Sequence, residues 1–564
     1  MKFEEYQYKR PSLEDLERDF TQLLKKFQVA ESFEEQNGVM FEINDLRSEF
    51  ESLRQIVQIR QTIDTTDEFY KKEKEFFNEI GPAYKGLITK FYEELTSSKF
   101  RPQLEERWGK QLFLLADTQL KTYSSEVLSD MQEENKLVSE YVNLLASAKI
   151  PFDDDEKNLS QLIPYHQSPD RAIRKESNEV KYSFFVEHAE HLDELYDKLV
   201  KVRTNIAKKL GFSSYTELAY ARLNRTDYNA EMVAKFRDQV KEYIVPLATK
   251  LKQKQQERID VDSLKYYDES FSFKTGNPDP KGNAEWIVEQ GKKMYEEMST
   301  ETNEFYTFMV ENNLMDLLSK SGKAGGGYCT YISKYKSPYI FANFNGTKGD
   351  VRVLKHEVGH AFQVYESRGY EIPEYGFPTL EACEIHSMSM EFFAWPWMEL
   401  FFEEDTDKYK FSHLSEAVLF IPYGVAVDEF QHFVYANPEA TPNERKLAWR
   451  EIEKKYLPHR DYEGNEFLEN GGFWQQQGHI YKVPFYYIDY TLAQICALQF
   501  WKKNQDDPEI AWRDYLHLCK LGGSKSFTEL VKEADLISPF EGDCVKSIID
   551  EIETYLFSID DKAL

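Results

Sequence analysis

Nowhere does the sequence hold an apolar run long enough to cross a membrane. A spanning helix needs about 20 predominantly apolar residues, whereas VLFIPYGVAV at 418–427 is short and interrupted by Pro422. The opening residues, MKFEEYQYKR, contain no apolar leader, so no membrane partner is expected. Cysteine is scarce as well: Cys329, Cys383, Cys496, Cys519 and Cys544 form an odd, widely spaced set without a CxxC pair. That pattern offers neither a disulfide framework nor a structural zinc knuckle, and a reducing cytoplasm is the expected compartment. Positive charge is the third deficit. With 70 Lys and Arg against 99 Asp and Glu the net charge is −29, which argues against nucleic acid or an anionic bilayer as partner. Most of the acidic residues read as solvated helix faces, and a cation or a mildly basic substrate would be tolerated.

Apolar and aromatic residues, by contrast, are plentiful. Across 564 residues, 41% are hydrophobic and 15% aromatic, with 36 Tyr and 40 Phe, more than one small core needs. Helical periodicity dominates the first two hundred residues. Ser12 precedes Leu13, Leu16, Phe20, Leu23, Leu24 and Phe27 at three- and four-residue steps, with Asp15 placed as in a capping box. Similar patterns over 43–62, 67–98, 115–148 and 176–210 predict a stack of long antiparallel helices, without a fixed-period repeat. The stretch 258–283, ending TGNPDPKGN, reads as a surface loop. Helices are expected again over 284–319. Beyond Gly322–Gly327, CTYISKYKSPYIFANFNG predicts a small hairpin or sheet, the only clear β segment.

The sharpest chemical signal is NGTKGDVRVLKHEVGHAFQVYES. Asp350 is the expected N-cap, with Val351, Leu354, Val358 and Phe362 as the apolar stripe. His356 and His360 stand four apart, so a helix puts both imidazoles on one face, with Glu357 beside the first where it can serve as a general base. HExxH is the zinc metallopeptidase signature. With 11 His in the chain, chance would produce it only on the order of a few hundredths of an occurrence, so two incidental surface histidines are the weaker reading.

A catalytic zinc takes three protein ligands and keeps one position open. The extended HExxHxxGxxH pattern fails, because Gln363 and Glu366 stand where Gly and His would be. The third ligand is therefore expected from a second helix, TLEACEIHSMSMEFFAW, which Thr379 can cap. It offers Glu381, Glu384, His386 and Glu391, and position alone does not choose among them.

HEVGHAF followed some two dozen residues later by EIHSMSME resembles the thimet oligopeptidase and oligoendopeptidase F family of zinc peptidases. SPYIFANFNGTKGDV, the helical N-terminal half and the length are also similar, and the specific motifs span Gly325 to Tyr490. In that family the Glu opening E-x-x-S-x-x-x-E is the third ligand. The match at Glu384, Ser387 and Glu391 thus implies that His356, His360 and Glu384 hold one Zn2+ per chain, with Glu381 orienting a ligand histidine. The resemblance also implies His and Tyr donors to the oxyanion in GHIYKVPFYYIDYTLAQ, namely His479, Tyr486 and Tyr490. The spacing there departs from the animal thimet pattern, which carries more glycine, and leaves Tyr487 as a competitor.

The implied fold is mainly α, a large helical ellipsoid with a deep central channel and a small β-sheet beside the zinc helix. Residues 1–200 would wall the channel, and 201–564 would form the catalytic region with its core at about 320–500. The implied activity is hydrolysis of internal peptide bonds in short, unfolded oligopeptides. Two alternatives stand beside it: a dipeptidyl carboxypeptidase of the same fold, and a non-catalytic helical peptide-binding protein, which the intact Glu357 and ligand positions disfavour. AGGGYC lacks the GK[ST] ending of a phosphate loop. It reads as a flap, with SPYIFANF at 337–344 as the edge to which a substrate's extended backbone would add.

Overall fold

Ser12 caps the first helix as its spacing predicts. Its hydroxyl accepts the Asp15 amide at 3.2 Å, and α1 (Leu13–Val29) turns Leu16, Phe20, Leu24 and Phe27 inward. The computed structural model describes every residue except Asn345 and Thr347. Ser32 and Asp67 cap α2 (Phe33–Ile63) and α3 (Glu68–Thr96) in the same way, and α4 (Arg101–Trp108) and α5 (Lys110–Leu120) follow. These helices enclose a core of their own, with Phe20, Phe27, Phe50, Phe77, Phe91 and Trp108 among its members. Each such phenylalanine stabilises the lobe by about 1.5–3 kcal/mol. Ile372 and Tyr375 reach into this core from far along the chain.

A second, larger core joins helices Leu128–Ala146 and Arg171–Lys209 to the C-terminal half. Helix Arg171–Lys209 runs unbroken across residue 200 and buries Phe185, Leu192, Leu195 and Leu199. The chain is mainly helical, as read from its periodicity, and no helix of the described residues is long and apolar enough to cross a membrane. Pro422, expected to interrupt its apolar run, lies inside the continuous helix Thr406–Ala436.

Several local expectations are corrected. The helix expected over 115–148 is broken: α5 stops at Leu120, the Thr122 hydroxyl takes the freed Gln119 carbonyl at 2.8 Å, and the next helix begins at Leu128. Residues 259–283 are irregular but not a free surface loop, because Asp268 is fully buried and pairs with Arg171 at 2.7 Å and Arg174 at 2.9 Å. A short hairpin, β1 (Ile150–Phe152) and β2 (Asp155–Lys157), was not anticipated. Its turn uses Asp153 and Asp154 at φ of 54° and 57°, where the recognisable signal would be Asn-Gly.

The helices expected through residue 319 end at Glu311. Asn313 then takes a left-handed φ of 51° and starts β3 (Met315–Leu318). With β4 (Tyr328–Ile332) and β5 (Ser337–Phe344) it forms a sheet of order β3-β5-β4, β3 parallel and β4 antiparallel to β5. The middle strand is therefore β5. It pairs with β3 on one side and β4 on the other, so it is not the edge strand expected for a substrate at 337–344, and the outer edges of the sheet belong to β3 and β4.

Candidate metal centre

The HExxH helix spans Lys348–Ser367, starting before the expected cap. Asp350 lies in its first turn, where its Oδ2 accepts the Gly346 amide at 2.5 Å. Val351, Leu354, Val358 and Phe362 are buried as the stripe predicts. The second helix, Leu380–Phe393, follows Thr379, which has the extended backbone of a cap but makes no capping bond with its hydroxyl. From Glu381 to Phe393 every residue is buried. Gly359, between the two histidines, is what lets the helices meet: a Cβ there would fall 2.7 Å from Ser387 Cα and 2.8 Å from the His386 carbonyl oxygen.

At this crossing, ligand atoms of His356, His360 and Glu384 lie within 4.8 Å of one another. Glu384 Oε2 stands 3.2 Å from His356 Nε2 and 3.7 Å from His360 Nε2. Each imidazole is fixed from behind. His356 Nδ1 meets Glu391 Oε1 at 2.9 Å, and His360 bonds to the Cys383 carbonyl. Glu391 is itself anchored, because Trp395 Nε1 donates to His413 Nδ1 and His413 Nε2 then donates to Glu391 Oε2, both at 2.9 Å. This relay fixes the His356 ring with Nδ1 toward Glu391 and Nε2 toward Glu384.

The electrostatics favour a cation. Burial alone would raise Glu384, yet His356, His360 and Ser387 outweigh it and hold the carboxyl down to about 2. Burial would likewise depress His356, but the hydrogen bonds it donates to Glu384 and Glu391 carry it up to about 10. A proton is thus retained between two carboxylates where a divalent ion would serve better, and two imidazoles with one carboxylate are a donor set suited to zinc. Glu357 is pushed up to about 7, mainly by burial, with His356 pulling down and Glu384 pushing up. A Cβ at Gly327 would come 3.7 Å from Glu357 Oε1, so the glycine run lies against this acid.

Glu381 bonds to neither His356 nor His360, and it is Glu391 that backs His356. Both Glu381 oxygens lack a hydrogen-bond partner among the described residues, and burial together with Asp489 pushes the carboxyl up to about 8. Asp489 is itself tied to Arg225 at 2.5 Å. Nor does His386 join the cluster: it turns back along its own helix, with Nδ1 2.7 Å from the Ala382 carbonyl oxygen.

The segment ending at helix Tyr487–Asp506 brings the expected donors to the same place. Tyr486 donates its hydroxyl to Glu384 Oε1 at 3.2 Å and is hydrogen-bonded to Tyr490. Burial pushes Tyr490 up to about 12 and Tyr486 higher, so both remain donors at neutral pH. Burial holds His479 down to about 4. Tyr423 donates to Gln477 Oε1 at 2.7 Å and Gln477 Nε2 donates to His479 Nδ1 at 2.8 Å, leaving His479 Nε2 as the protonated nitrogen. His356, His479, Tyr487 and Tyr490 line one cavity of about 600 Å³. Sequence reasoning missed His413, Gln477 and Tyr423. It had quoted Glu391, the last residue of E-x-x-S-x-x-x-E, without giving it a role.

Fold and site together define a metallopeptidase, a hydrolase. Residues 3–123 match the description Peptidase M3 N-terminal domain and residues 164–548 match Peptidase family M3; the chain belongs to peptidase family M3. No curated protein matches it. Among solved structures it is similar to an oligoendopeptidase F at 62% identity, with 100% of both chains covered and a TM-score of 0.94. It is equally similar to a PZ peptidase A solved with an inhibitor, at 63% identity, 100% of both chains and a TM-score of 0.93. An oligoendopeptidase F from Bacillus anthracis str. Ames follows at 59% identity, covering 100% of this chain and 99% of the other, with a TM-score of 0.90. The resemblance drawn from HEVGHAF and EIHSMSME is borne out.

Proposed function

We propose that the protein is a zinc-dependent oligoendopeptidase of the cytoplasm, with one Zn2+ held by His356, His360 and Glu384. The observation that carries this reading is the convergence of both Nε2 atoms on Glu384 Oε2, with each imidazole anchored from behind. When bound, the ion supplies Lewis acidity, polarising the scissile carbonyl and lowering the pKa of water to about 7. Glu357 accepts the proton of the attacking water at its carboxylate and returns it to the leaving amine. His479, Tyr486 and Tyr490 donate to the carbonyl oxygen as negative charge develops there.

Oligopeptide substrates enter a channel walled by residues 1–200 and lie along the open edge of β4. Apart from the Thr330 carbonyl, which accepts from Cys329 Sγ of the same strand, the hydrogen-bonded backbone groups of Gly325–Tyr331 pair with β5 among the described residues, which leaves the outer side of β4 for an extended peptide to add in a sequence-tolerant way. The test pairs elemental analysis with timed digests of graded peptides. About one zinc per chain, loss of activity on chelation with recovery on zinc addition, and internal cleavage of doubly blocked peptides of roughly 5 to 20 residues are expected. Full activity after exhaustive chelation would refute the metal reading. A requirement for a free C-terminus would mark a dipeptidyl carboxypeptidase instead.

A further inference from the structure

The loop between the two helices of the metal centre, residues 368–379, is gripped by the N-terminal lobe. Glu374, at its middle, is buried against Arg47 of α2 at 2.5 Å, with both side chains under 10% exposed. Tyr92 of α3 donates to the same Glu374 oxygen at 2.6 Å. The next residue, Tyr375, accepts the Leu112 amide of α5 at 3.0 Å through its hydroxyl. Nearer the surface, Arg107 of α4 meets Glu371 at 2.5 Å. Four helices of one lobe thus hold a single loop of the other.

From this grip short covalent and hydrogen-bonded paths lead to the ligands. Gln363, three residues after His360 on the same helix, donates to the Gly376 carbonyl at 3.2 Å, and Ser367 does so at 3.1 Å. On the far side the loop runs through Pro378, whose carbonyl takes Cys383 Sγ at 3.4 Å. Cys383 adjoins Glu384, and its own carbonyl holds the His360 ring. Behind the loop, the Gly523 amide donates to the Tyr375 carbonyl at 3.0 Å, so the loop has no room to relax away from the lobe.

We propose that Glu374 is a positioning residue through which the N-terminal lobe sets the spacing of the two helices at the metal centre. The proposal rests on reading His356, His360 and Glu384 as the ligands. An extended network of this kind carries coupling that corresponds to changes of about two- to thirty-fold. Glu374→Gln, which keeps shape and removes charge, should therefore weaken zinc affinity and lower kcat within that range while KM moves less. Zinc affinity is read by competition with a chromophoric chelator. Glu374→Asp, which restores the charge, should recover part of both losses.

A purely structural Glu374 would lower thermal stability and leave zinc affinity and kcat of the folded enzyme at wild type; that result overturns the proposal. Should Glu374→Gln not fold, Tyr92→Phe removes only the 2.6 Å bond. A smaller loss of the same kind supports the proposal, and unchanged zinc affinity and kcat overturn it. Glu384→Gln, run in parallel, separates the two levels. Wild-type zinc affinity in that variant means the ligand reading itself is wrong, whereas lost affinity there with none lost in Glu374→Gln removes the positioning role alone.

Discussion

Helix α1 of the five-helix lobe and helix Leu380–Phe393 beside His356 are built on opposite rules. In α1 one residue in three or four turns inward, all of those apolar, and Glu and Lys face solvent. Helix Leu380–Phe393 buries Glu381, Glu384, His386, Ser387, Ser389 and Glu391 together with its apolar residues. Helix α1 is held to the lobe by apolar area removed from water. The metal centre holds costly buried polar groups, which persist only where each has a partner or a task. Substitutions should therefore act on rate and metal affinity at the centre and, away from the Arg47–Glu374–Tyr92 grip, on stability in the lobe, and the predictions below probe that division from the largest effect downward.

Glu357→Gln removes a proton acceptor without touching the ligand donors, so kcat should fall by about 10²–10⁴ while zinc content stays at wild type. Activity within a few-fold of wild type would show that the base lies elsewhere. Next in size are the oxyanion donors. Tyr486→Phe, Tyr490→Phe and His479→Ala should each lower kcat by about 10²–10³ where the group donates in the transition state, with little change in KM. If none does, the donor must be sought among other groups lining the cavity, with Tyr487 the first candidate. Glu391→Gln comes third, because it acts through His356: zinc affinity should drop about 10- to 100-fold, whereas Glu381→Gln should leave it nearly unchanged. The reverse order would restore Glu381 to the orienting role that the family resemblance implies.

That reversal between Glu381 and Glu391 shows where sequence reasoning stops. Both residues share a helix face with Glu384, one a turn before it and the other two turns after. What separates them is nonlocal: His356 and His413 on Glu391, Asp489 and Arg225 around Glu381. HExxH was legible because its chemistry fits within one helical turn, and α1 was legible because its cap and stripe are local. β5 reads as a binding edge in the sequence because β3, which pairs along it, is hidden at the end of a helical stretch. Glu374 has no role in the sequence reading, because its partners Arg47 and Tyr92 lie 327 and 282 positions away. No local pattern encodes such a separation.

The smallest expected effect tests the comparison with a single methyl group on each side. Gly359 and Gly38 both sit inside helices, where glycine is ordinarily less stable than alanine by roughly 0.5–1 kcal/mol. In α2 nothing lies within 4 Å of a Cβ placed on Gly38, so Gly38→Ala should gain about that amount, visible as a small rise in the denaturant midpoint with kcat and zinc affinity unchanged. At Gly359 the same methyl meets backbone rather than a movable side chain, 2.7 Å from Ser387 Cα and 2.8 Å from the His386 carbonyl oxygen. The helices must then part, at a cost of about 1–3 kcal/mol, and because the clash lies between His356 and His360 the separation is felt at the ligands. Gly359→Ala should lose stability and zinc affinity together. If both variants shift stability alike and leave zinc affinity alone, the close helix crossing is not what sets the metal centre, and the lobe and the centre obey one rule after all.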